Sequence, residues 1–331
     1  MKIFLSCVLI FVIVAGVCFN TKEYTQTEFL MDTFITITAY GKNAKSATKA
    51  AMEKITELDK KFSAYDSRSE LFKINSQTKT ENIDAEVYEI IKKAAEFSKM
   101  TNGAFDITLK PVSDLWKFGT GEERVPTNAE LESALERKGV ENIIFSDEEK
   151  SIEFLKDGMQ IDLGGVIKGY ASVEAKKVLK ENGIENAYLD LGGNVCVMGK
   201  KPLGLIDTIK NKARCRDFII GIQDPNKSRG EIIDKVAGNN NYIVTSGAYE
   251  RNFTKDGMLY HHIIDGKTGY PAEIKADSVT VISKDGMDAD MISTALFVLG
   301  KDGISKIPET MYDEIIFSKD GQAEYVKGVN R

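Results

Sequence analysis

Apolar positions in this chain recur with two different periods, and the switch between them predicts where strands and helices fall. Residues 29–40, FLMDTFITITAY, alternate apolar with threonine or other polar side chains, the spacing of a strand with one buried face. From 44 to 62 the period lengthens, and Ala47, Ala51, Ile55, Leu58 and Phe62 define one face of a helix. A second helix is predicted over 85–99, with Val87, Ile90, Ile91, Ala94 and Phe97 inward and Asn102-Gly103 as its stop. Short strands follow at 151–154 and 159–163, then a glycine turn and a helix over 166–181 closed by Asn182-Gly183. Segments 187–198, 218–223, 242–245, 262–265 and 278–283 read as further strands, and 288–299 as a helix ended by Gly300. Strands outnumber helices and often follow one another directly, which predicts an α+β fold of antiparallel sheets packed with helices.

One stretch obeys neither period. Residues 3–19 are almost unbroken apolar after Lys2, the mark of a targeting segment. The run is short for a membrane span, which needs roughly 20 residues, and long for the apolar core of a cleaved signal. A cleaved signal peptide and a retained anchor both stay open. Cys18 would be the lipidated residue of a bacterial lipoprotein, but Val17 stands where a small residue is usual. Residues 1–20 are therefore read as a leader and 21–331 as a single domain, held outside the cytoplasm at the membrane or exported. The 42% hydrophobic and 28% charged composition suits a globular protein. Its net charge of −6 excludes a protein that tracks nucleic-acid phosphates, so any anionic ligand must find its cation locally. Beyond the leader, Cys196 and Cys215 could form a disulfide or remain two buried thiols.

Four stretches carry more glycine, acid and amide than a core needs. In IDLGGVIKGY, 161–170, Gly164 and Gly165 allow close backbone approach, the helix that begins there offers free N–H groups, and Lys168 adds a charge. That is a phosphate site in outline, although a structural turn with an exposed lysine has the same pattern. LDLGGNV, 189–195, nearly copies that turn and suggests two backbones meeting one ligand. YHHIIDGKTGYP, 260–271, holds both histidines of the chain, and an imidazole is the side chain best suited to proton transfer near neutrality. GMDADMISTALFVLG, 286–300, opens a helix with acids; Asp290 and Thr294 stand four apart on one face and offer the hard oxygens that Mg²⁺ prefers.

Together and in this order, with FSAYDSRSELFKIN at 62–75 and GAFDITLKPVSDLW at 103–116, these stretches resemble the ApbE family of FAD:protein FMN transferases. The resemblance implies a T-fold-like α+β domain that binds FAD and Mg²⁺ and moves FMN to a Thr or Ser hydroxyl of an acceptor protein, a membrane redox subunit by family analogy, with release of AMP. By position it implies FAD contacts at Met31, Tyr65, Ala104, Phe105, Asp106, Asp162, Lys168 and Ile264. It places the second glycine turn at Asp190, Gly192 and Gly193. Magnesium ligands fall on the Gly165 carbonyl and on Asp290 and Thr294. His262 is the candidate proton acceptor, with Asp265 as a possible orienting group. The family usually has proline after that aspartate, where this chain has Gly266. An FAD pyrophosphatase and a non-catalytic FAD-binding surface protein are the competing functions.

Overall fold

The computed structural model describes residues 22–204 and 213–328; the leader, with Cys7 and Cys18, lies outside them. Eight strands form the main sheet: β1 Glu23–Leu30, β2 Thr33–Tyr40, β3 Asn186–Leu191, β4 Asn194–Met198, β5 Tyr242–Gly247, β6 Ser278–Ser283, β7 Glu314–Lys319 and β8 Gln322–Lys327. They lie side by side in chain order, and every neighbouring pair is antiparallel. Long insertions separate some of them, and the functional residues sit in these insertions and at the strand ends.

Four helices build the main core: α1 Ala44–Phe62, α2 Ala85–Met100, α3 Ile167–Glu181 and α4 Gly286–Leu299. The face expected for α1 is the buried one, with Ala47, Ala51, Ile55 and Leu58 fully enclosed. Helices α1, α3 and α4 pack on one face of the sheet, and α2 adds Val87, Ile90 and Phe97 to the same cluster. Helix α4 is apolar around most of its circumference because it lies between the sheet and α3. The other face of the sheet is capped by a hairpin, Phe218–Gln223 with Ile232–Gly238, whose Phe218, Ile220 and Ile222 pack on Val195, Val197, Ile243, Ile282 and Ile316. The architecture is α+β, as the element pattern predicts.

Several local expectations are corrected, and the segment expected as a strand over 187–198 is the two strands β3 and β4, which turn at Gly192-Gly193. The strand expected over 29–40 is two strands, because the chain reverses at Met31 and Asp32, both left-handed at φ 50° and 57°. A two-residue turn with both φ positive matches the twist of a hairpin, but neither residue is the Gly or Asn that would announce it. Segment 159–163 joins no ladder; the Asn75 side chain clamps Ile161 instead, donating to its carbonyl and accepting from its N–H, both at 2.8 Å. Segment 262–265 contributes only an isolated bridge between Ile264 and Pro271, and the strand of this region is Met258–His261. Cys196 and Cys215 are both free; Cys196 is buried and Cys215 exposed, so neither the disulfide nor a pair of buried thiols is found.

Candidate active site

Helices α3 and α4 meet at their first turns, and two glycines make the approach possible. A Cβ on Gly169 would stand 2.2 Å from the Gly286 carbonyl oxygen and 2.9 Å from Asp290 Cβ, and one on Gly286 would stand 2.6 Å from the Gly169 oxygen. Asp285 caps α4 through the Asp288 N–H, whereas α3 begins without a side-chain cap. Its early N–H groups therefore need partners from elsewhere. Asp290 supplies one: its Oδ2 accepts from the Gly169 N–H at 2.8 Å. Burial pushes the Asp290 carboxyl above the usual carboxylate range, against the Lys168 ammonium, the Gly169 N–H and the Asn194 amide.

Other oxygens converge beside that carboxylate. Thr294 follows one turn later, its Oγ1 3.4 Å from Ser246 Oγ, which also meets Ser293 Oγ at 2.9 Å. The Gly165 backbone passes between Thr294 and Phe105: a Cβ there would lie 3.6 Å from Thr294 Oγ1 and 3.0 Å from the Phe105 ring. Asn194 is 1% exposed, and although its amide lies near Asp290, neither Nδ2 nor Oδ1 reaches hydrogen-bond geometry with a protein group. A buried amide without such partners is costly unless something further joins the cluster. Among the described residues no three His, Cys, Asp or Glu side chains converge. The available set is one carboxylate, hydroxyls and backbone carbonyl, which suits a hard cation that keeps positions for phosphate oxygens, as Mg²⁺ does.

Lys168 and His262 complete the cluster from the other side. Lys168 is half-buried, makes no hydrogen bond or ion pair among the described residues, and acts on both Asp290 and His262 through its charge. His262 Nδ1 lies 3.2 Å from the Arg251 carbonyl. A carbonyl only accepts, so Nδ1 carries the proton and Nε2 keeps its lone pair. Although half-exposed by surface, the ring is closely surrounded; this desolvation, and then the Arg251 and Lys168 charges, hold it below the usual imidazole range. The orienting group is therefore a backbone carbonyl, not Asp265, whose Oδ1 accepts from the Lys267 N–H within its own turn.

Arg251 is the residue that the sequence pattern did not mark. Its Nη2 lies 3.8 Å from Asp32 Oδ2, and its charge acts on Asp162 and His262. It thereby ties the Met31-Asp32 turn to the histidine. Within SGAYERN, 246–252, it is a single arginine outside any motif, and no local spacing announces it. Asp162 accepts from the Gly164 N–H at 2.5 Å, and burial pushes its carboxyl up. Tyr65 is 69% exposed at the same mouth, its hydroxyl donating to Asp114 at 3.0 Å and its ring 4.2 Å from Lys110 Nζ.

Not every expected contact presents its side chain here. Phe105 is a buried wall packed edge-on against Phe97, and Ala104 is almost as enclosed. The Asp106 carboxylate is engaged by the Thr108 N–H and hydroxyl, with Lys138 3.6 Å away. The Ile264 side chain belongs to a separate cluster with Val112 and Trp116, so only its backbone is free to face a ligand. Asp190 caps its own turn through the Gly192 and Gly193 N–H groups and pairs with Thr36 on the sheet face away from the helices.

Comparison with known proteins shows the family of the chain. The ApbE family model matches residues 31–317. A protein named FAD:protein FMN transferase from Treponema pallidum is 31% identical over 307 residues, covering 89% of this chain and 84% of its own. Its namesake from Klebsiella pneumoniae is 28% identical, covering 85% and 84%. The crystal structure of the ApbE protein of Thermotoga maritima is 33% identical with a TM-score of 0.81, covering 93% of this chain and 97% of that one. The flavin transferase ApbE of Vibrio cholerae, 24% identical with a TM-score of 0.77 over 94% and 98%, shares the fold. The chain belongs to the ApbE family.

Proposed function

We propose that this protein is an Mg²⁺-dependent FAD:protein FMN transferase that attaches FMN to a Thr or Ser hydroxyl of an acceptor protein. The observation that carries the reading is the convergence of Asp290, Thr294, the Gly165 backbone, Lys168 and His262 at the crossing of α3 and α4. Relatives that bear this activity's name across most of the chain support it.

Lys168 at the start of α3 holds the pyrophosphate of FAD, where the helix dipole adds to its charge, the Val166, Ile167 and Gly169 N–H groups being already engaged by Leu163 and Asp290. Asp290, Thr294 and the Gly165 carbonyl would hold Mg²⁺, which supplies neutralisation of the charge on the phosphate oxygens. His262 Nε2 takes the proton of the acceptor hydroxyl. The hydroxyl oxygen then bonds to the FMN phosphorus, the bond to the bridging oxygen breaks, and AMP leaves. The low proton affinity of His262 keeps that nitrogen free at neutral pH. The same reading places the protein outside the cytoplasm, attached to the membrane or exported, supported by the apolar run 3–19.

Purified protein with FAD, Mg²⁺ and a threonine-bearing acceptor is expected to add one FMN to the acceptor, read by mass spectrometry, with AMP released in equal amount. Free FMN with an unlabelled acceptor would make the protein a pyrophosphatase instead. Tight FAD binding without either product would make it a carrier.

A further inference from the structure

A cavity of about 900 Å³ opens beneath the hairpin, on the sheet face away from the helices. Every residue from 218 to 225 borders it, although alternate side chains of the strand Phe218–Gln223 point to opposite faces. A groove that runs along the backbone edge of the strand is bordered in this way. The opposite edge is taken by Ile232–Gly238, so the edge along the groove has no strand partner among the described residues. An unpaired edge beside a groove is the geometry in which an extended peptide adds as a further strand. The far wall is Thr38 of β2 with Tyr188 and Asp190 of β3.

The inner end of this groove touches the candidate active site from behind. Gly193, Thr245 and Glu250 border the groove. Their chain neighbours Asn194, Ser246 and Arg251 meet Asp290, Thr294 and His262. Along a strand, successive side chains face opposite sides, so one sheet end serves both spaces. The Gly192-Gly193 turn, left-handed at φ 65° and 85°, forms the rim between them: Gly193 borders the groove, and the Thr33 side chain packs on Gly192.

The groove also gathers the cations Lys201, Arg216 and Arg229 along its lining. Lys201 and Arg216 face one another directly across an antiparallel pair, an arrangement of like charges that costs stability unless an anion joins it. Neither they nor Arg229 has an ion pair or hydrogen bond from its side chain among the described residues. The acids beside them are engaged: Asp217 with Lys200 and Asp224 with Lys227, both at 3.1 Å. Glu250 meets the Tyr249 hydroxyl and Asp190 the N–H groups of its own turn, so these two acids and Glu23 have no cation partner in the lining.

Building on the FMN-transfer reading, we infer that this groove docks the acceptor. An extended, acid-flanked segment lies along Phe218–Gln223, sets its carboxylates on Lys201, Arg216 and Arg229, and passes its hydroxyl over the Gly192-Gly193 rim. FAD occupies the other face, so acceptor and donor meet from opposite sides of the sheet end.

The test offers the full chain FAD, Mg²⁺ and short synthetic peptides with one threonine, flanked by aspartates in one series and lysines in the other. The wild type is expected to label the aspartate series with a kcat/KM about tenfold higher. The variant Lys201→Glu/Arg216→Glu/Arg229→Glu is expected to lose or invert that preference through KM. Its FAD cleavage without peptide should stay within about twofold, the usual reach of surface substitutions. Equal labelling of both series by the wild type, or a preference retained in the variant, overturns the docking groove and leaves transfer intact. A fall in peptide-free FAD cleavage in the variant assigns the groove to FAD and overturns the inference as well. Cleavage of FAD with no peptide labelled overturns the transfer reading itself.

Discussion

At the scale of single residues, three side chains divide the chemistry, and each can be separated from the others. Lys168 is the unpaired cation at the start of α3, so Lys168→Met should weaken FAD binding by about 1–3 kcal/mol, the scale of a lost charged hydrogen bond. Riboflavin, which has no phosphate, should bind this variant as it binds the wild type, and flavin fluorescence titration reads both. Asp290→Asn keeps the shape of the buried side chain and removes its charge. FAD cleavage should fall by about 100-fold or more, as expected when several kcal/mol of charge stabilisation are lost. Wild-type turnover in this variant would remove Asp290 from the mechanism. The pH profile reports His262, whose folded-state proton affinity is lowered. A base works when deprotonated, so activity should persist as pH falls through ~6.5, the ordinary imidazole value, and decline only below it. An acid limb of kcat/KM at or above that value would speak against His262 as the base.

At the scale of elements, the site depends on how closely two helices and one turn can be placed. Gly169→Ala would drive a methyl into the Gly286 carbonyl and Asp290 Cβ, so α3 and α4 must separate. A loss of about 1–3 kcal/mol in unfolding free energy is expected, with FAD cleavage reduced because Asp290 moves with α4. Gly266 is the contrasting case. It has no positive φ, its N–H donates no backbone hydrogen bond, and a Cβ there would meet only ordinary contacts from 3.4 Å. Gly266→Pro should therefore raise stability by about 0.4–1 kcal/mol through a stiffer unfolded chain, with activity retained. Denaturant unfolding of the two variants decides both points, and a destabilised Gly266→Pro would mean that the turn needs the freedom of glycine.

At the scale of the whole molecule, the antiparallel sheet serves as a partition. Its helix face carries Asp290, Thr294 and Asn194 at one end, and its other face carries the groove under the hairpin. The first described strand, β1, starts at Glu23, just after the leader. A chain lacking residues 1–20 should stay in the soluble fraction and cleave FAD like the full protein. An inactive truncated chain would give the leader a role in folding.

The amino-acid sequence by itself determined the helices α1, α2 and α3, the strands at 151–154, 218–223 and 278–283, and the family, because apolar periods and short glycine-acid motifs are local properties of the chain. It also singled out Lys168, Asp290, Thr294 and His262. Only the tertiary structure decided that Arg251 orients His262 through its carbonyl, that Asp190 turns to the opposite face, and that Asn75 replaces a strand partner for Ile161. Each of these is a contact between residues distant in the chain or a choice of face. Such choices follow from where the sheet end, the helix crossing and the hairpin come to lie, which no single segment of sequence records.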